Sequence, residues 1–494
     1  MIYLTGENVF TFNSGTEFSQ FERLELFKRQ GKTAKLLLRN YNRLLAKDIA
    51  THKLDPTTVL NMYDYFQEAV GLQRKKCPLR LLKSMALKDY HIVGIDNNTS
   101  ELRYQGNLIG KIAVMPETVG LVGDITYFDR MGHTIFKEYW DWRGFRSMVE
   151  TYHPDGSIAT QQFLKPTGEI ALEITHMYLN GKILPTSYKL IAYRGKDYVF
   201  DTQDQLYTFF LNEINALEPG VFISDRRTLD NCVLNVINAK QRLAYIHSVP
   251  FVDDKKPQKG ILPAYRTALT VGNFDQVIFP TKAEANTVSQ VFEPKLNVAV
   301  APDSWVKVVT SPKVLPNQKV LIYVGRIAED KNITDLLKCF KAMYLQDATL
   351  RFKLQGYFSN TDYQTKLQQL VSELHLQDAV EFLPYQNEPK LYQDATLFLN
   401  ASPSEGFGMN MLESMAHGVP IVTYAIDYTE NNLVKNDING YNVKNKTPKL
   451  LAKKALELLG DSENYHKLSK GALKTATKYD AKAFSAAWDL VVSE

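Results

Sequence analysis

Ser402-Pro403-Ser404-Glu405-Gly406-Phe407-Gly408-Met409-Asn410-Met411-Leu412-Glu413 is the stretch from which the fold can be read. A β-type run at residues 396–399 leads into it. A helix is predicted from about Met409 to His417, closed by Gly418 before Val419-Pro420 opens the next strand. Strand, glycine-rich loop and helix N-terminus, in that order, set unpaired backbone N–H groups beside a crevice. Those of Gly408, Met409 and Asn410 are positioned to receive a diphosphate. Glu405 sits in the loop, where it can face a sugar. Glu413, one turn inside the helix, can accept from both hydroxyls of a ribose diol.

Working outward, Gly325-Arg326-Ile327-Ala328-Glu329-Asp330-Lys331-Asn332 follows a strong strand at residues 320–324. Arg326 and Lys331 lie five residues apart across a strand-to-helix turn, near enough to converge on one anion. Two cations on a leaving diphosphate offset the charge that develops on it. No Asp-x-Asp motif stands at a strand end and no His/Cys cluster has ligand spacing, so no metal is required. A helix is expected at 333–344 and a strand at 350–354. Leu367, Leu370, Val371 and Leu374 then recur on one helical face, before strands at 380–383 and 396–399. Thr447-Pro448 and Gly460 bracket another helix. A last one, at about 481–492, carries Phe484, Trp488 and Val491 on one face and needs a surface to dock on.

A polar, Pro-containing linker at 311–318 separates this series from an earlier one. That series has helices at 204–214 and 283–292 and strands at 221–224, 243–247 and 276–281. Two such series predict two doubly wound parallel sheets, with ligand crevices at the carboxyl ends of their strands. The chain opens with β-type runs at 1–4 and 9–12. Asn13-Ser14-Gly15-Thr16 follows, before a helical pattern through Phe18, Phe21, Leu24 and Phe27. A glycine between strand and helix lets backbone approach an anion. Between 72 and 205 the character changes. Met131-Gly132, Asp155-Gly156 and Asn180-Gly181 punctuate short β-rich runs and predict hairpins, among them 148–152 with 158–163. An antiparallel sheet is inserted here.

At 494 residues the chain exceeds one core. Its net charge of +4 is far from that of a dedicated nucleic-acid binder, so no nucleic-acid partner is expected. Arg74-Lys75-Lys76 and Lys255-Lys256 read as solvated faces. Cys77, Cys232 and Cys339 are odd in number and far apart, which suits a reducing cytoplasm better than a disulfide framework or metal site. Met1-Ile2-Tyr3-Leu4 does not open a signal peptide, and no run approaches the roughly 20 apolar residues that span a bilayer. The expectation is a cytoplasmic protein, peripheral at the inner face of the cell membrane if it works there.

Arg326 and Lys331, followed by Glu405-x7-Glu413 in a Ser-x-x-Glu-Gly-Phe-Gly setting, resemble family 4 of the retaining glycosyltransferases. The similarity runs over about 320–443, ending at Asn439-Gly440-Tyr441. Asn13-Ser14-Gly15 is similar to that family's N-terminal donor loop, and Ile246-His247 to its strand-end histidine. Val277-Ile278-Phe279-Pro280-Thr281-Lys282-Ala283-Glu284 resembles the last strand–helix unit of its N-terminal domain. The inserted β segment narrows the likeness to one group. It holds poly(glycerol-phosphate) α-glucosyltransferases, wall teichoic acid α-N-acetylglucosaminyltransferases and transferases that start O-glycans on bacterial serine-rich surface proteins.

The resemblance implies an α/β protein of GT-B fold, two Rossmann-like domains facing a cleft, with an antiparallel β-sheet module in the N-terminal one. Residues 1–71 and 206–312 would form the N-terminal domain and 72–205 the module. Residues 313–478 would bind the nucleotide-sugar, and 479–494 would return to the N-terminal domain as a helix. It implies UDP-glucose or UDP-N-acetylglucosamine as donor, with no cofactor. The acceptor would be a poly(glycerol/ribitol phosphate) teichoic acid chain or the serine and threonine residues of a surface protein. The module would serve acceptor docking and assembly, as a homo-oligomer or with a sister subunit.

By the same resemblance, Arg326 and Lys331 hold the donor diphosphate, Glu405 the 3- and 4-hydroxyls of the transferred sugar, and Glu413 the ribose. His247 sits at the reacting sugar. Ser14, Gly15, Gly356, Gly408, Met409 and Asn410 complete the donor site. Retention would follow a same-face mechanism in which the leaving diphosphate deprotonates the acceptor hydroxyl. The chain departs from the family pattern at Gln355-Gly356-Tyr357-Phe358, with its single glycine, at Asp427-Tyr428-Thr429-Glu430, and at Ser248-Val249-Pro250 after His247. A non-catalytic relative serving as a chaperone or partner subunit is the alternative from another class. The retained Arg326, Lys331, Glu405 and Glu413 argue against it. Sucrose-type small-molecule synthesis is a third reading, which the inserted segment disfavours.

Overall fold

The computed structural model describes residues 1–76, 90–253, 256–291, 295–387, 390–425 and 433–492. Cys77, Lys255 and residues 427–430, singled out above, lie outside them. The chain divides into two compact units, one of residues 1–11 and 32–242, the other of residues 12–31 and 243–494.

In the first unit, parallel strands pair in the order Val59–Asn61, Ala34–Leu38, Ile2–Gly6, Val221–Ser224. Ile2–Gly6 and Val221–Ser224 are buried at every position, as parallel strands covered on both faces must be. The β-type run expected at 9–12 is not a strand. Register with Ala34–Leu38 ends at Gly6, and beyond it the Asn8 side chain accepts the Val9 amide at 2.9 Å. Apolar character without a neighbour to pair with makes no strand.

The expected insertion is a ten-stranded sheet in which every strand pairs with its sequence neighbours, from Tyr90–Gly94 to Lys196–Phe200. The hairpin read around Asp155-Gly156 joins Arg146–Tyr152 to Ile158–Leu164. Leu102, Ile112, Met115, Val122, Ile125 and Trp140 form a core against the sheet. Buried Arg143 holds it to the short helix Met62–Phe66, donating to Asp64 at 2.7 and 3.0 Å and to Asp141 at 2.7 Å. A guanidinium matches two carboxylates at once, which a lysine could not.

In the second unit, six parallel strands lie in the order Val380–Leu383, Arg351–Gln355, Val320–Val324, Leu397–Asn400, Ile421–Tyr424, Gly440–Val443. This 3-2-1-4-5-6 order reverses between Val320–Val324 and Leu397–Asn400, the place where doubly wound sheets open a crevice. Gln241–Tyr245, Gln276–Phe279 and Val298–Val300 are parallel neighbours in turn. One long helix, Ser462–Ala476, was not expected from the sequence. Asp461 caps it by accepting the Asn464 amide at 3.0 Å.

Helix Gly15–Arg29 buries Leu24, Leu26 and Phe27, and also Glu17, Ser19, Gln20 and Arg23. Arg23 lies 4.9 Å from the ring centroids of both Tyr245 and Trp488. The closing helix Ala481–Val491 finds its docking surface here. Fully buried Trp488 meets Phe27 edge-on at 6.2 Å and Tyr245 at 5.1 Å, and its indole N–H donates to the Pro302 carbonyl at 3.2 Å. Trp488→Ala is expected to cost about 3–5 kcal/mol of the stability of this unit. Denaturant unfolding measures it, and a loss below about 1 kcal/mol would show that the closing helix is merely appended.

Candidate active site

Segments 12–15, 246–248, 325–331, 356–357 and 402–413 of the second unit meet where its two central strands end. Backbone contact sets their spacing. A Cβ on Gly356 would stand 1.9 Å from the Gly325 carbonyl oxygen, and one on Gly406 would stand 2.1 Å from that of His247. No other residue fits at either position without moving main chain. Thus the single glycine kept after Arg351–Gln355 is the one the packing requires. The Asn410 amide group donates to the Val324 carbonyl at 2.8 Å, tying the helix Met409–Ala416 to the neighbouring strand end. Buried Asn400 shapes the start of the loop by accepting from the Ser402 hydroxyl at 2.9 Å.

Gly408 caps that helix in the left-handed region, φ +85°. The first-turn N–H groups of Met409 and Asn410 have no carbonyl to bond within the helix and carry the positive end of its dipole. Gly15 opens the N-terminal helix beside them, its Cβ position 3.6 Å from the Met409 sulfur. The Ser14 amide and hydroxyl both donate to the Glu17 carboxylate, at 2.9 and 2.7 Å, so this hydroxyl is engaged in a capping box. The Tyr357 hydroxyl donates to the Asn13 carbonyl at 3.2 Å. Phe12 stacks on Tyr357 at 4.9 Å and meets Tyr385 edge-on at 5.4 Å, giving the loop an aromatic wall.

Lys331 donates to Glu405 at 2.6 Å, with both side chains largely shielded. Arg326 instead pairs with exposed Asp330 at 2.7 Å. Each of the two cations thus rests on a carboxylate. Among the described residues, no group of three or more His, Cys, Asp or Glu side chains is arranged to hold a metal ion.

Glu413 projects from the next turn of the helix. The Tyr392 hydroxyl donates to its Oε2 at 2.7 Å and to the Asn410 carbonyl at 3.3 Å. Burial pushes the Glu413 carboxyl above the usual range, and the Tyr392 bond opposes that. His247 contacts Asp303 through Nδ1 at 2.8 Å, with Tyr245 packed beside the ring at 4.2 Å. An imidazole so held has its tautomer and orientation fixed by the carboxylate.

Sequence reading named the charged residues and His247 and missed the partners Asp303 and Tyr392, as well as the aromatic Tyr385 beside Tyr357. It also missed Glu22, whose carboxyl is pushed up to about 7 by burial first and by the Glu413 charge second, against a hydrogen bond from Trp305. None of these stands in a recognisable spacing.

This strand order and its loops are those of the GT-B fold. Residues 310–475 match the family "Glycosyl transferases group 1". A poly(glycerol-phosphate) alpha-glucosyltransferase of Bacillus subtilis is 24% identical over 461 residues, 89% of this chain and 66% of that protein. The UDP-N-acetylglucosamine–peptide N-acetylglucosaminyltransferase GtfA subunit of Streptococcus gordonii is 21% identical, over 98% of this chain and 96% of that one. The crystal structure of Staphylococcus aureus TarM with fondaparinux, α-GlcNAc-glycerol and UDP shares the fold. Its TM-score is 0.83 at 19% identity, covering 100% of this chain and 99% of that chain.

Glu22 gives the site a pH signature. Its usual value is 4.5 and its folded value about 7, so between those pH values the folded protein holds a proton that the unfolded chain has lost. Its contribution to stability therefore falls as pH rises through that window and is lowest above pH 7. Glu22→Gln removes the penalty. The variant should melt about 2–4 °C higher than the parent at alkaline pH, with the gap closing towards pH 4.5. A gap that ignores pH would place Glu22 in water.

Proposed function

We propose that the protein is a retaining, metal-independent hexosyltransferase that moves glucose or N-acetylglucosamine from a UDP-sugar to a polyol-phosphate teichoic acid chain. The Lys331–Glu405 pair carries this reading: a cation suited to a diphosphate and a carboxylate suited to sugar hydroxyls, held 2.6 Å apart at the crevice. An entering diphosphate takes the Lys331 ammonium and the N–H groups of Met409 and Asn410. Glu405 is released to accept from the transferred sugar. Glu413, steadied by Tyr392, accepts from the ribose diol. His247, oriented by Asp303, stands behind Gly406 on the sugar side.

As the glycosidic bond breaks, negative charge moves onto the diphosphate, where Lys331 stabilises it. Arg326 joins by leaving its exposed pair with Asp330. A diphosphate oxygen takes the proton of the acceptor hydroxyl as that hydroxyl attacks from the same face, so configuration is retained without a protein nucleophile. A net charge of +4 suits a polyanionic acceptor, and the B. subtilis relative is described by such a substrate. UDP-sugar donors and three cysteines without a disulfide pattern suit a cytoplasmic setting. Likeness to the GtfA subunit over 98% of the chain supports a second reading, transfer to serine or threonine of a surface protein, with a sister subunit as partner.

Turnover of UDP-glucose and UDP-N-acetylglucosamine, each offered polyglycerol phosphate, polyribitol phosphate and a serine-rich peptide, separates these readings. Glu405→Ala and Lys331→Ala should each lower transfer about 10²–10³-fold while leaving the melting temperature nearly unchanged. Absence of both turnover and UDP binding would instead leave a non-catalytic partner subunit.

A further inference from the structure

Charge is spread unevenly along this chain. Residues 444–482 hold ten lysines, no arginine and four carboxylates, an excess larger than the net +4 of all 494 residues. Helix Ser462–Ala476 and the turn Thr477–Tyr479 organise part of that excess. Lys467, Lys470, Lys474 and Lys478 follow one another at spacings of three, four and four, which brings them onto one face. All four are exposed, and no carboxylate among the described residues lies within ion-pair reach of any of them. Tyr465, Leu468, Ser469, Ala472 and Ala476 occupy the opposite face and are buried. That face packs on the donor helix Met409–Ala416, with the Ser469 hydroxyl donating to the Gly418 carbonyl at 2.7 Å. Like charges three and four residues apart repel, so the chain itself gains nothing from this row.

We propose that the Lys467–Lys470–Lys474–Lys478 face is an electrostatic docking surface for an anionic lipid bilayer. The row lies on the outer side of its helix, which presents isolated ammonium groups to a plane. Lysine is a compact point charge on a flexible stem and suits a diffuse layer of headgroups. A site that recognised individual phosphates in a groove would favour arginine forks. The row also points away from the helix that forms the donor site, so a polyanionic acceptor lying along it would not be presented to the sugar. No described helix is long and apolar enough to cross a membrane, so attachment through this face is peripheral. Lys449 on the neighbouring helix Pro448–Leu459 is exposed too and widens the positive field.

Co-sedimentation of the full chain with vesicles tests this. Vesicles of phosphatidylglycerol and phosphatidylcholine should bind it, and vesicles of phosphatidylcholine alone should not. Binding should fall steeply between low salt and about 0.5 M salt as the Debye length shrinks. Each lysine contributes about fivefold, so the variant carrying Lys467→Gln, Lys470→Gln, Lys474→Gln and Lys478→Gln should lose several hundredfold. The same four positions changed to arginine should retain binding. Solution turnover of the UDP-sugar and the melting temperature should be unchanged in the glutamine variant, which separates this surface from the catalytic reading. Equal vesicle binding by parent and glutamine variant overturns the proposal, as does parent binding no stronger than to phosphatidylcholine. Lysine-dependent capture of free polyglycerol phosphate without vesicle binding overturns it as well, and assigns the face to the acceptor.

Discussion

An ammonium and a carboxylate held 2.6 Å apart join the loops that follow the two central strands of the second unit. Much of the surrounding structure can be understood as what keeps Lys331 and Glu405 in that relation. Parallel pairing sets Val320–Val324 beside Leu397–Asn400. Main-chain contacts at Gly356 and Gly406 fix the height of the flanking loops, and Asn410 fastens the helix to the strand end. A shielded ion pair of this kind adds little net stability, because desolvation offsets most of its attraction. Its value is orientation: the cation is already placed, and an anionic ligand replaces one partner for another without reorganising the protein.

The acids behind this pair follow a different logic. Glu413 and Glu22 approach from two helices, and each is harder to ionise for its burial and, at Glu22, for the other's charge. Tyr392 and Trp305 supply hydrogen bonds that ease the cost. Both donors are neutral, so each eases the burial of its carboxylate without bringing a cation to it.

What the sequence discloses and what it withholds divides by distance along the chain. The strands Val221–Ser224, Val320–Val324 and Val380–Leu383 and the helix Ile333–Tyr344 are legible because apolar periodicity is local and strong. The hairpins of the insertion are legible because their turns need residues such as Asp155-Gly156. Arg326, Lys331, Glu405 and Glu413 are legible because each stands at a fixed offset from a strand end. Helix Ser462–Ala476 does carry an apolar stripe through Tyr465, Leu468, Ala472 and Leu473, but small Ser469, Thr475 and Ala476 share its buried face and lysines interleave with it, which weakens the signal. Asp303 and Tyr392 escape because their partners lie 56 and 21 residues away, and only the folded sheet brings them together. The aromatic run through residues 9–12 misleads for the complementary reason: its Phe12 ring packs on Tyr357 and Tyr385 instead of entering a sheet.

The contact of Trp488 with Phe27 and Tyr245 has a bearing on the order of folding. Helices Gly15–Arg29 and Ala481–Val491 lie far apart along the chain, yet they share one aromatic core. Closing so long a loop is slow. The inserted sheet, built wholly from sequence neighbours, can form while translation continues. Helix Gly15–Arg29 is covered only once Ala481–Val491 has folded back onto it. Until then Arg23 and Phe27 stay exposed, which makes this long-range contact a late, committing step in the folding of the second unit.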